Sequence, residues 1–437
     1  MRYGKVLAAV AVTLLLVGFV LWLRDHDDLT VPNPRHLHPP SKHEPLELPA
    51  LVRYLPRQPG DGRGIRWGLV LRARDGVPEE IVDLERAIPG LGGGLEELLE
   101  RDGFAAAESL WSQAKAGNID PTWIERLTPD SLTARVLAPL DTTLAQLASR
   151  ERLIVGVGLN YAEHAADVAQ QAAEDAFAFA KMVEPTGAYS SVRLGPAEIP
   201  GQEYASLIDY EVELAFVVLE DLALDALPAA DELAEHIAWV QANDVTNRLP
   251  ILLEGDAGFT QAKSQPTFLP LGPWLVHGRH LRPRTAAGGE DAVSLSLRVE
   301  EERPHERGSQ RQHSSSQEMV RGPREILELI VKNWPQSERP DADGIPRGVV
   351  RIGDGRPMIP RGSLILTGTP GGTAIEAPGG LDRARLFMLG NLSPRAAREE
   401  FALHCVRHRL EMGFLSPGDV VDAQIDYLGR QRWVVVR

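Results

Sequence analysis

The chain has 437 residues, enough for a large core and two or three structural units. Its composition, 43% hydrophobic and 24% charged, is that of a folded protein, and its net charge of -15 argues against a nucleic-acid partner, because such partners need a basic surface. A single cysteine, Cys405, excludes an intrachain disulfide, a thiolate zinc site and an iron–sulfur cluster held by one chain.

Residues 1–28 are predicted to form an uncleaved membrane anchor. Arg2 and Lys5 precede an uncharged run from Val6 to Leu23, which as a helix would span roughly 27 Å, close to the thickness of a bilayer core. No small-residue cleavage pattern follows the run, which favours an anchor over a cleaved signal peptide. The charge distribution predicts a cytoplasmic N-terminus and a catalytic domain on the extracytoplasmic, periplasmic side. Arg24 is a positive charge on the far side of the run and weakens this orientation, so a catalytic domain on the cytoplasmic side is the alternative.

Three further regions follow the predicted anchor. Residues 29–61 are rich in proline and histidine and are predicted to be an extended linker. Residues 62–150 are predicted to form a small N-terminal α+β unit, since a strand-like run and helical patterns alternate there. Residues 151–437 are predicted to be the catalytic domain, with a helical insertion at about 374–415.

Short β-branched runs separated by glycine and proline dominate residues 151–437. Helical patterns interrupt them at Tyr161–Lys181, Ala230–Val240 and Arg324–Lys332. The fold class is therefore predicted to be α+β, with a β-rich core and peripheral helices.

Two acidic segments carry the first chemical signal. The run Asp209–Val218 is typical of a strand, and its period of two puts Glu211 and Glu213 on one face. Asp244 can complete a three-carboxylate site, and Arg248 adds a positive charge for a substrate carboxylate. Such oxygen ligands favour Mg²⁺, with Ca²⁺ or Mn²⁺ as alternatives. A solvent-facing acidic edge and an ordinary turn are the structural alternatives.

Histidines provide the second signal. His164 and Asp167 are separated by three residues on a predicted helix, so the carboxylate can fix the imidazole as a base that activates water. An ordinary surface pair is the alternative. His404 and His408 also share a helix face, but no third ligand is near them in sequence, which favours an ordinary helix over a zinc site.

These segments, taken in order with Ala262–Trp274, Leu366–Gly372 and Pro417–Val421, resemble the fumarylacetoacetate hydrolase family over roughly residues 62–437. The resemblance implies a mixed β-sandwich roll, a homodimer, and a metal held by Glu211, Glu213 and Asp244. It implies catalytic roles for three residues and substrate contacts for five more. The catalytic residues are His164, Asp167 and Lys263; the substrate contacts are Tyr161, Arg248, Gln312, Gly368 and Thr369.

The resemblance implies a metal-dependent hydrolase that cleaves a C–C bond in a 2,4-dioxo acid such as an acylpyruvate. A decarboxylase, isomerase or hydratase acting on a 2-oxo acid is the alternative, and a degenerate member that only binds metal or ligand is another. Three departures from the family pattern surround the substrate: Asp167 replaces a glutamate, Leu249–Ile251 replaces polar residues, and Pro266 replaces an aspartate. They point to an unusual small-molecule substrate.

Overall fold

The structure, a computed structural model, describes residues 46–57, 64–168, 176–195, 206–300, 309–337, 348–353, 356–389 and 393–437, with Val17, Leu29 and Glu174 as single residues. The predicted anchor, apart from Val17, and most of the predicted linker lie outside these ranges. Within them, none of the helices combines the length and apolar character that crossing a bilayer requires. Anchoring therefore stays a prediction.

Strands account for most of the described elements. Those up to residue 218 are β1 (Ala50–Tyr54), β2 (Arg66–Arg74), β3 (Val77–Asp83), β4 (Ile124–Arg126), β5 (Ile154–Gly158), β6 (Phe177–Ala180), β7 (Thr186–Gly187), β8 (Ser191–Arg193), β9 (Ile208–Asp209) and β10 (Val212–Val218). Those that follow are β11 (Leu222–Ala223), β12 (Ile237–Asn243), β13 (Thr246–Asn247), β14 (Pro270–Leu271), β15 (Trp274–His277), β16 (Ser294–Glu300), β17 (Ser309–Ser315), β18 (Arg351–Gly353), β19 (Arg356–Ile359), β20 (Leu364–Leu366), β21 (Val420–Ile425) and β22 (Gly429–Val436).

Helices lie between the strands in sequence, and most of them are short. They are α1 (Leu95–Glu100), α2 (Gly103–Lys115), α3 (Leu132–Arg135), α4 (Leu144–Ala148), α5 (Ala162–Asp167), α6 (Ala230–Leu233), α7 (Arg248–Glu254), α8 (Phe259–Lys263), α9 (Pro323–Ser337), α10 (Gly380–Leu389) and α11 (Pro394–Arg407). Two of them, α10 and α11, lie in the segment 374–415 for which a helical insertion is predicted.

A 12-stranded mixed sheet forms the centre of the fold. Its main path runs β4-β3-β2-β1-β15-β12-β10-β20-β5-β6, with β14 and β7 attached beside β12. Most neighbours are antiparallel, but β20 and β5 run parallel. The strands β1 to β4 belong to the same sheet as β5, β10, β12, β15 and β20, so the boundary predicted near residue 150 does not interrupt the strand pairing.

A second, five-stranded sheet of order β17-β16-β21-β22-β8 packs on one face of the central sheet. Alternate residues of β10 show the two faces: Leu214 and Phe216 pack with Leu297 and Val421 of the second sheet. The opposite face buries Ala215 and Val217 with apolar residues of α1 and α2. The result is a mixed α+β fold with two sheets in contact and helices around them, as the sequence pattern predicts.

The central pair β10 and β12 positions the acidic residues. Every residue of both strands is buried, as expected for strands covered on both faces. The antiparallel register pairs Val212 with Asn243, so the start of β10 meets the end of β12. The amide of Asp244 then donates to the carbonyl of Glu211 at 2.9 Å. Acids more than thirty positions apart in sequence therefore lie at one end of one strand pair.

Two of the predicted helical stretches are wrong in extent. Within Tyr161–Lys181 the structure forms the helix α5 and then the strand β6. Within Ala230–Val240 helix α6 is short, and β12 begins at Ile237. The run that starts at Ile237 is β-branched and aromatic, and strand pairing with β10 and β15 on both sides decides its conformation. The third prediction, Arg324–Lys332, is confirmed by α9.

The predicted linker is wrong at its C-terminal end. Residues 50–54 within it form β1, which pairs with both β2 and β15. Four of its five residues are buried. Ala50, Val52 and Tyr54 face the apolar core between the two sheets, and Leu51 faces the core on the opposite side of the central sheet. The residues before it are rich in proline, and their composition led to the prediction of a linker that extends past this short apolar strand.

Candidate active site

Three carboxylates form a buried cluster at the end of the β10–β12 pair. Glu211 precedes β10, Glu213 lies within it, and Asp244 follows β12. One carboxylate oxygen from each lies within 4.8 Å of the others, and the side chains are almost inaccessible to solvent. The spacing and the oxygen-only donor set fit a hard divalent cation such as Mg²⁺.

Lys263, at the end of α8, binds two of these acids. Its Nζ lies 2.6 Å from Glu211 Oε2 and 2.7 Å from Asp244 Oδ2, and it also donates to the hydroxyl of Thr246 at 2.8 Å. Although burial alone would lower the pKa of Lys263, the charges of Asp244 and Glu211 raise it. This ammonium therefore stays charged at neutral pH beside the cluster.

Arg248 binds the cluster from another side. Its Nε donates to Asp209 Oδ2 at 2.8 Å, and its Nη2 donates to Glu211 Oε1. The cap that starts α7 holds it in place, because the side chain of Asn247 accepts from the amide of Leu249 at 3.2 Å. The guanidinium predicted to bind a substrate carboxylate is thus engaged by two protein carboxylates, although it also lines the cavity described below.

Lys181 is a buried cation that the sequence reasoning missed. It directly follows β6 and its Nζ donates to Asp244 Oδ1. Burial lowers its pKa, and the neighbouring Lys263 adds to this effect, whereas Asp244 opposes it. A lysine after the apolar run Phe177–Ala180 carries no distinctive motif, and the sequence prediction placed it at the end of a helix.

The acids respond unequally to this environment. Burial raises the pKa of Glu211, but Arg248 and Lys263 outweigh burial and lower the pKa to about 2. Burial raises the pKa of Glu213 well above its usual value, and the charges of Asp244 and Glu211 raise it further. Two buried anions next to Glu213 make a third unfavourable unless a cation is present. The residues therefore fit a divalent cation held by Glu211, Glu213 and Asp244.

A cavity of about 420 Å³ opens onto the cluster. The three acids, Lys263 and His164 line its inner end together with Thr369. Its walls are apolar and come from β6, α7 and α8, with a contribution from α11. A site with a few convergent polar groups at one end of an apolar cavity is typical of small-molecule enzymes.

Helix α5 brings His164 to the cavity. The imidazole is buried and lines the cavity with the acids. Asp167 lies on the same helix, and its Oδ2 accepts from the backbone amide of Gly372 at 3.2 Å. The Asp167 carbonyl also accepts from the amide of Ala377 at 2.7 Å. Asp167 thus ties α5 to the segment after β20, and its role as partner of His164 stays a prediction.

Three residues predicted to bind substrate are not among the residues that line this cavity. Gln312 accepts from the amide of Val212 at 3.0 Å and donates to Thr369 Oγ1 at 2.9 Å. The amide of Gly368 donates to Glu213 Oε2 at 2.8 Å. Tyr161 is buried, and burial followed by the charge of Glu213 raises its pKa well above its usual value. The contacts of Gln312 and Gly368 hold the start of β10 and the carboxylate of Glu213 in place, while substrate binding by all three residues remains a prediction.

Asp209 is a second residue that the sequence reasoning missed. Besides Arg248, it accepts from the amides of Ala374 at 2.8 Å and Ile375 at 3.3 Å. Asp209 lies two positions before Glu211 in the strand-like run, so the period of two could have indicated that both side chains lie on the same face.

Residues 153–436 match the family model described as "Fumarylacetoacetate (FAA) hydrolase C-terminal". "Protein Rv2993c" of Mycobacterium tuberculosis is 28% identical over 279 residues, which cover 64% of this chain and 84% of that protein. Mitochondrial oxaloacetate decarboxylase of Dictyostelium discoideum is 26% identical over 231 residues, covering 52% of this chain and 85% of that protein.

Solved structures share the fold at lower identity. Fumarylacetoacetate hydrolase from the psychrophilic Exiguobacterium antarcticum is 21% identical and aligns with a TM-score of 0.52, covering 89% of this chain and 99% of that one. Since the family match covers more than half of the sequence and includes all three acids, the chain belongs to the fumarylacetoacetate hydrolase family.

Proposed function

We propose that this protein is a Mg²⁺-dependent hydrolase that cleaves the C–C bond of a 2,4-dioxo acid of the acylpyruvate class. One observation carries the proposal: His164 and the three clustered carboxylates line the same cavity. Members of the family are enzymes that act on small-molecule acids and typically bind a divalent metal. The apolar wall of the cavity supports an acyl substrate, because it offers room beyond the polar end for a hydrophobic group.

Glu211, Glu213 and Asp244 would hold the cation. When bound, such a cation supplies Lewis-acid polarisation of the substrate's carboxylate and keto oxygens. Lys263 keeps its charge next to Glu211 and Asp244, where it would stabilise the negative charge that develops on a substrate bound at the cluster. His164 takes a proton from water at an imidazole nitrogen, and the resulting hydroxide attacks the distal carbonyl. The C–C bond then breaks, and the pyruvate fragment regains the proton from the imidazolium.

Oxaloacetate decarboxylation is a second candidate, and the similarity to the Dictyostelium decarboxylase supports it. This reaction uses the same chelating end of the substrate but needs no water attack. His164 would then be dispensable for turnover. The apolar side chains of Ile251 and Leu252 in the cavity wall argue against so small and polar a substrate.

Steady-state assays of the full chain with Mg²⁺ separate the candidates. We expect hydrolysis of acylpyruvates to exceed decarboxylation of oxaloacetate. Replacing His164 by Asn should lower kcat for hydrolysis roughly 100- to 10,000-fold, the range for loss of a general base. The exposed His313 provides the control, since His313→Asn should leave kcat unchanged. Decarboxylation that survives His164→Asn, with no hydrolysis by the unaltered protein, would favour the second candidate.

Glu213→Gln tests the metal assignment with little change in shape. The glutamine oxygen can still accept from Gly368, so the hydrogen bond at 2.8 Å is retained while the charge is lost. We expect Mg²⁺ affinity, measured by calorimetry, and turnover to fall together. Activity that is insensitive to chelator and to this substitution would remove both metal-dependent candidates. Absence of turnover together with retained ligand binding would instead favour a member that only binds a ligand.

A further inference from the structure

The cavity has a charged inner end and an apolar middle. Lys263 Nζ lies 5.3 Å from the centre of the Phe179 ring, which marks the border between them. Phe177, Phe179 and Phe259 form one aromatic cluster, with ring centres 4.8 to 5.9 Å apart. Ile251 extends this surface. A ligand that chelates at the inner end therefore passes along hydrocarbon before it reaches solvent.

Helix α11 closes the outer part of this cavity. It packs against α7, and it contributes Arg398 and Phe401 to the lining. These two residues are three positions apart and thus share one face of the helix. Phe401 also packs against the main apolar core, which fixes the helix in place. The predicted helical insertion at about 374–415 therefore contributes to the cavity wall.

Arg398 is an exposed cation at this outer end. Among the residues that the structure describes, it forms no ion pair or hydrogen bond. Lys181, Lys263 and Arg248, by contrast, all bind carboxylates of the protein. Arg395, one turn earlier on α11, is also paired, with Glu399 at 3.0 Å. The charge of Arg398 is thus available to a ligand.

Gly255 leaves room for the guanidinium. A Cβ added there would lie 3.4 Å from Arg398 Nη1, and the backbone has a φ of +65° that other residues rarely adopt. Glu376 is the acidic side chain on this wall, and it already has an interaction partner. The outer end therefore presents a planar cation next to a hydrocarbon surface, which suits a carboxylate, since guanidinium and carboxylate can bond through two parallel hydrogen bonds.

We propose that Arg398 is the specificity-determining residue for a two-ended substrate: a 2-oxo or 2,4-dioxo acid that carries a second carboxylate beyond an apolar spacer. The proposal rests on the proposed function for the inner end only. The 2-oxo acid group binds at the acidic cluster, the spacer contacts the phenyl rings, and the distal carboxylate binds Arg398. Oxaloacetate, in which a single methylene separates the keto group from the second carboxylate, is too short to use all three parts of the cavity.

Binding measurements test this without relying on turnover. Calorimetry in Mg²⁺ compares 2-oxooctanedioate with 2-oxooctanoate, which have equal chain length but end in a carboxylate and a methyl group, respectively. We expect the full chain to bind the dicarboxylate roughly 10- to 100-fold more tightly, the range for a hydrogen bond to a charged group. Arg398→Gln should remove this difference, and Arg395→Gln on the same helix should preserve it.

Steady-state kinetics provide a second test of the role of Arg398. For acylpyruvates with an acyl chain ending in a carboxylate or in its methyl ester, kcat/KM should favour the free acid, and Arg398→Gln should abolish this preference. Equal binding of both calorimetric ligands, or equal loss for both in Arg398→Gln, would overturn the proposal. Selective binding through Arg398 without any turnover would instead contradict the proposed reaction and leave this inference standing.

Arg398→Glu gives the reverse test. A carboxylate at this position should favour a 2-oxo acid that ends in an ammonium group. A preference of the unaltered protein for that ammonium ligand would overturn the assignment and identify Glu376 as the recognising group.

Discussion

Asp209 and Arg248 form a buried ion pair directly behind the acidic cluster, with Arg248 Nε 2.8 Å from Asp209 Oδ2. Asp209 is fully buried, and it also accepts from two backbone amides of the segment that leads to α10. The pair therefore links the arginine at the start of α7 to the wall of the substrate cavity. Its loss should affect both stability and catalysis.

Asp209→Asn should lower the free energy of unfolding by about 3 kcal/mol, because removing one charge of a buried pair leaves the other poorly compensated. We expect kcat/KM to fall as well, since asparagine keeps only one acceptor oxygen for donors that now share two: Arg248 Nε and the backbone amides of Ala374 and Ile375. Urea denaturation and steady-state kinetics measure the two effects. Asp225→Asn is the control: Asp225 pairs with Arg356 at 3.6 Å on the surface, where pairs contribute little.

Lys181→Met should destabilise the protein in the absence of divalent cations and make Mg²⁺ more stabilising. Lys181 is completely buried against Asp244, so its loss leaves more of the negative charge of the cluster unbalanced. A bound cation restores the balance, and its binding energy adds to stability by mass action. Thermal unfolding with and without Mg²⁺ should show a larger shift in Tm for this variant. Lys332→Met, at an exposed position, should behave like the unaltered protein.

His277 should make the fold sensitive to acid. Burial, followed by the charges of Arg279, His280 and His236, lowers its pKa to about 3. Its Nδ1 accepts from the amide of Arg279 at 3.2 Å, a contact that protonation of this nitrogen would abolish. The unfolded chain, with a histidine pKa of about 6.5, binds more protons between these values. Stability from this group is therefore complete above about pH 6.5 and falls as the pH drops towards 3.

The slope of this loss is at most about 1.4 kcal/mol per pH unit for one group. His277→Asn, whose side-chain oxygen can still accept from the Arg279 amide, should flatten the dependence of the urea midpoint on pH. An unchanged profile would show that other groups control acid sensitivity.

Gly255→Ala should lower stability by about 1–3 kcal/mol, because a φ of +65° with a ψ of -138° strains any residue with a side chain. The added methyl group should also weaken binding of the dicarboxylate, since it would lie against Arg398. Gly64→Ala serves as the control, because Gly64 has open space around it. Equal effects on 2-oxooctanedioate and 2-oxooctanoate would argue against contact with the charged group.

Much of the acidic cluster was predictable because its geometry follows from local rules. The alternation of Glu211 and Glu213 on one strand requires only the period of a β-strand, and the family pattern adds Asp244 and Lys263. The structure places all four together. The additional charged partners of the cluster were not predictable. Lys181 and Asp209 reach it through tertiary packing, which a local sequence pattern does not indicate.

The helices were predicted less well than the strands around the site. Apolar residues in 230–240 satisfy a helical period over a few turns, but hydrogen bonding to strands on both sides makes Ile237–Asn243 a strand. The wall of the cavity that α11 forms could not be predicted for a different reason. Helix α11 is evident as a helix in the sequence, yet its contact with α7, which brings Arg398 to the cavity, depends on long-range packing.

The position of β1 has a consequence for how the N-terminal region can be trimmed. This strand joins β2 on one side and β15 on the other, and it is the only link between them in the described sheet path. A protein cut at residue 62, where the sequence pattern would place the end of a dispensable tether, would lose this link. Two rows of unsatisfied backbone donors and acceptors would then face solvent, a template for edge-to-edge aggregation or for exchange of strands between copies.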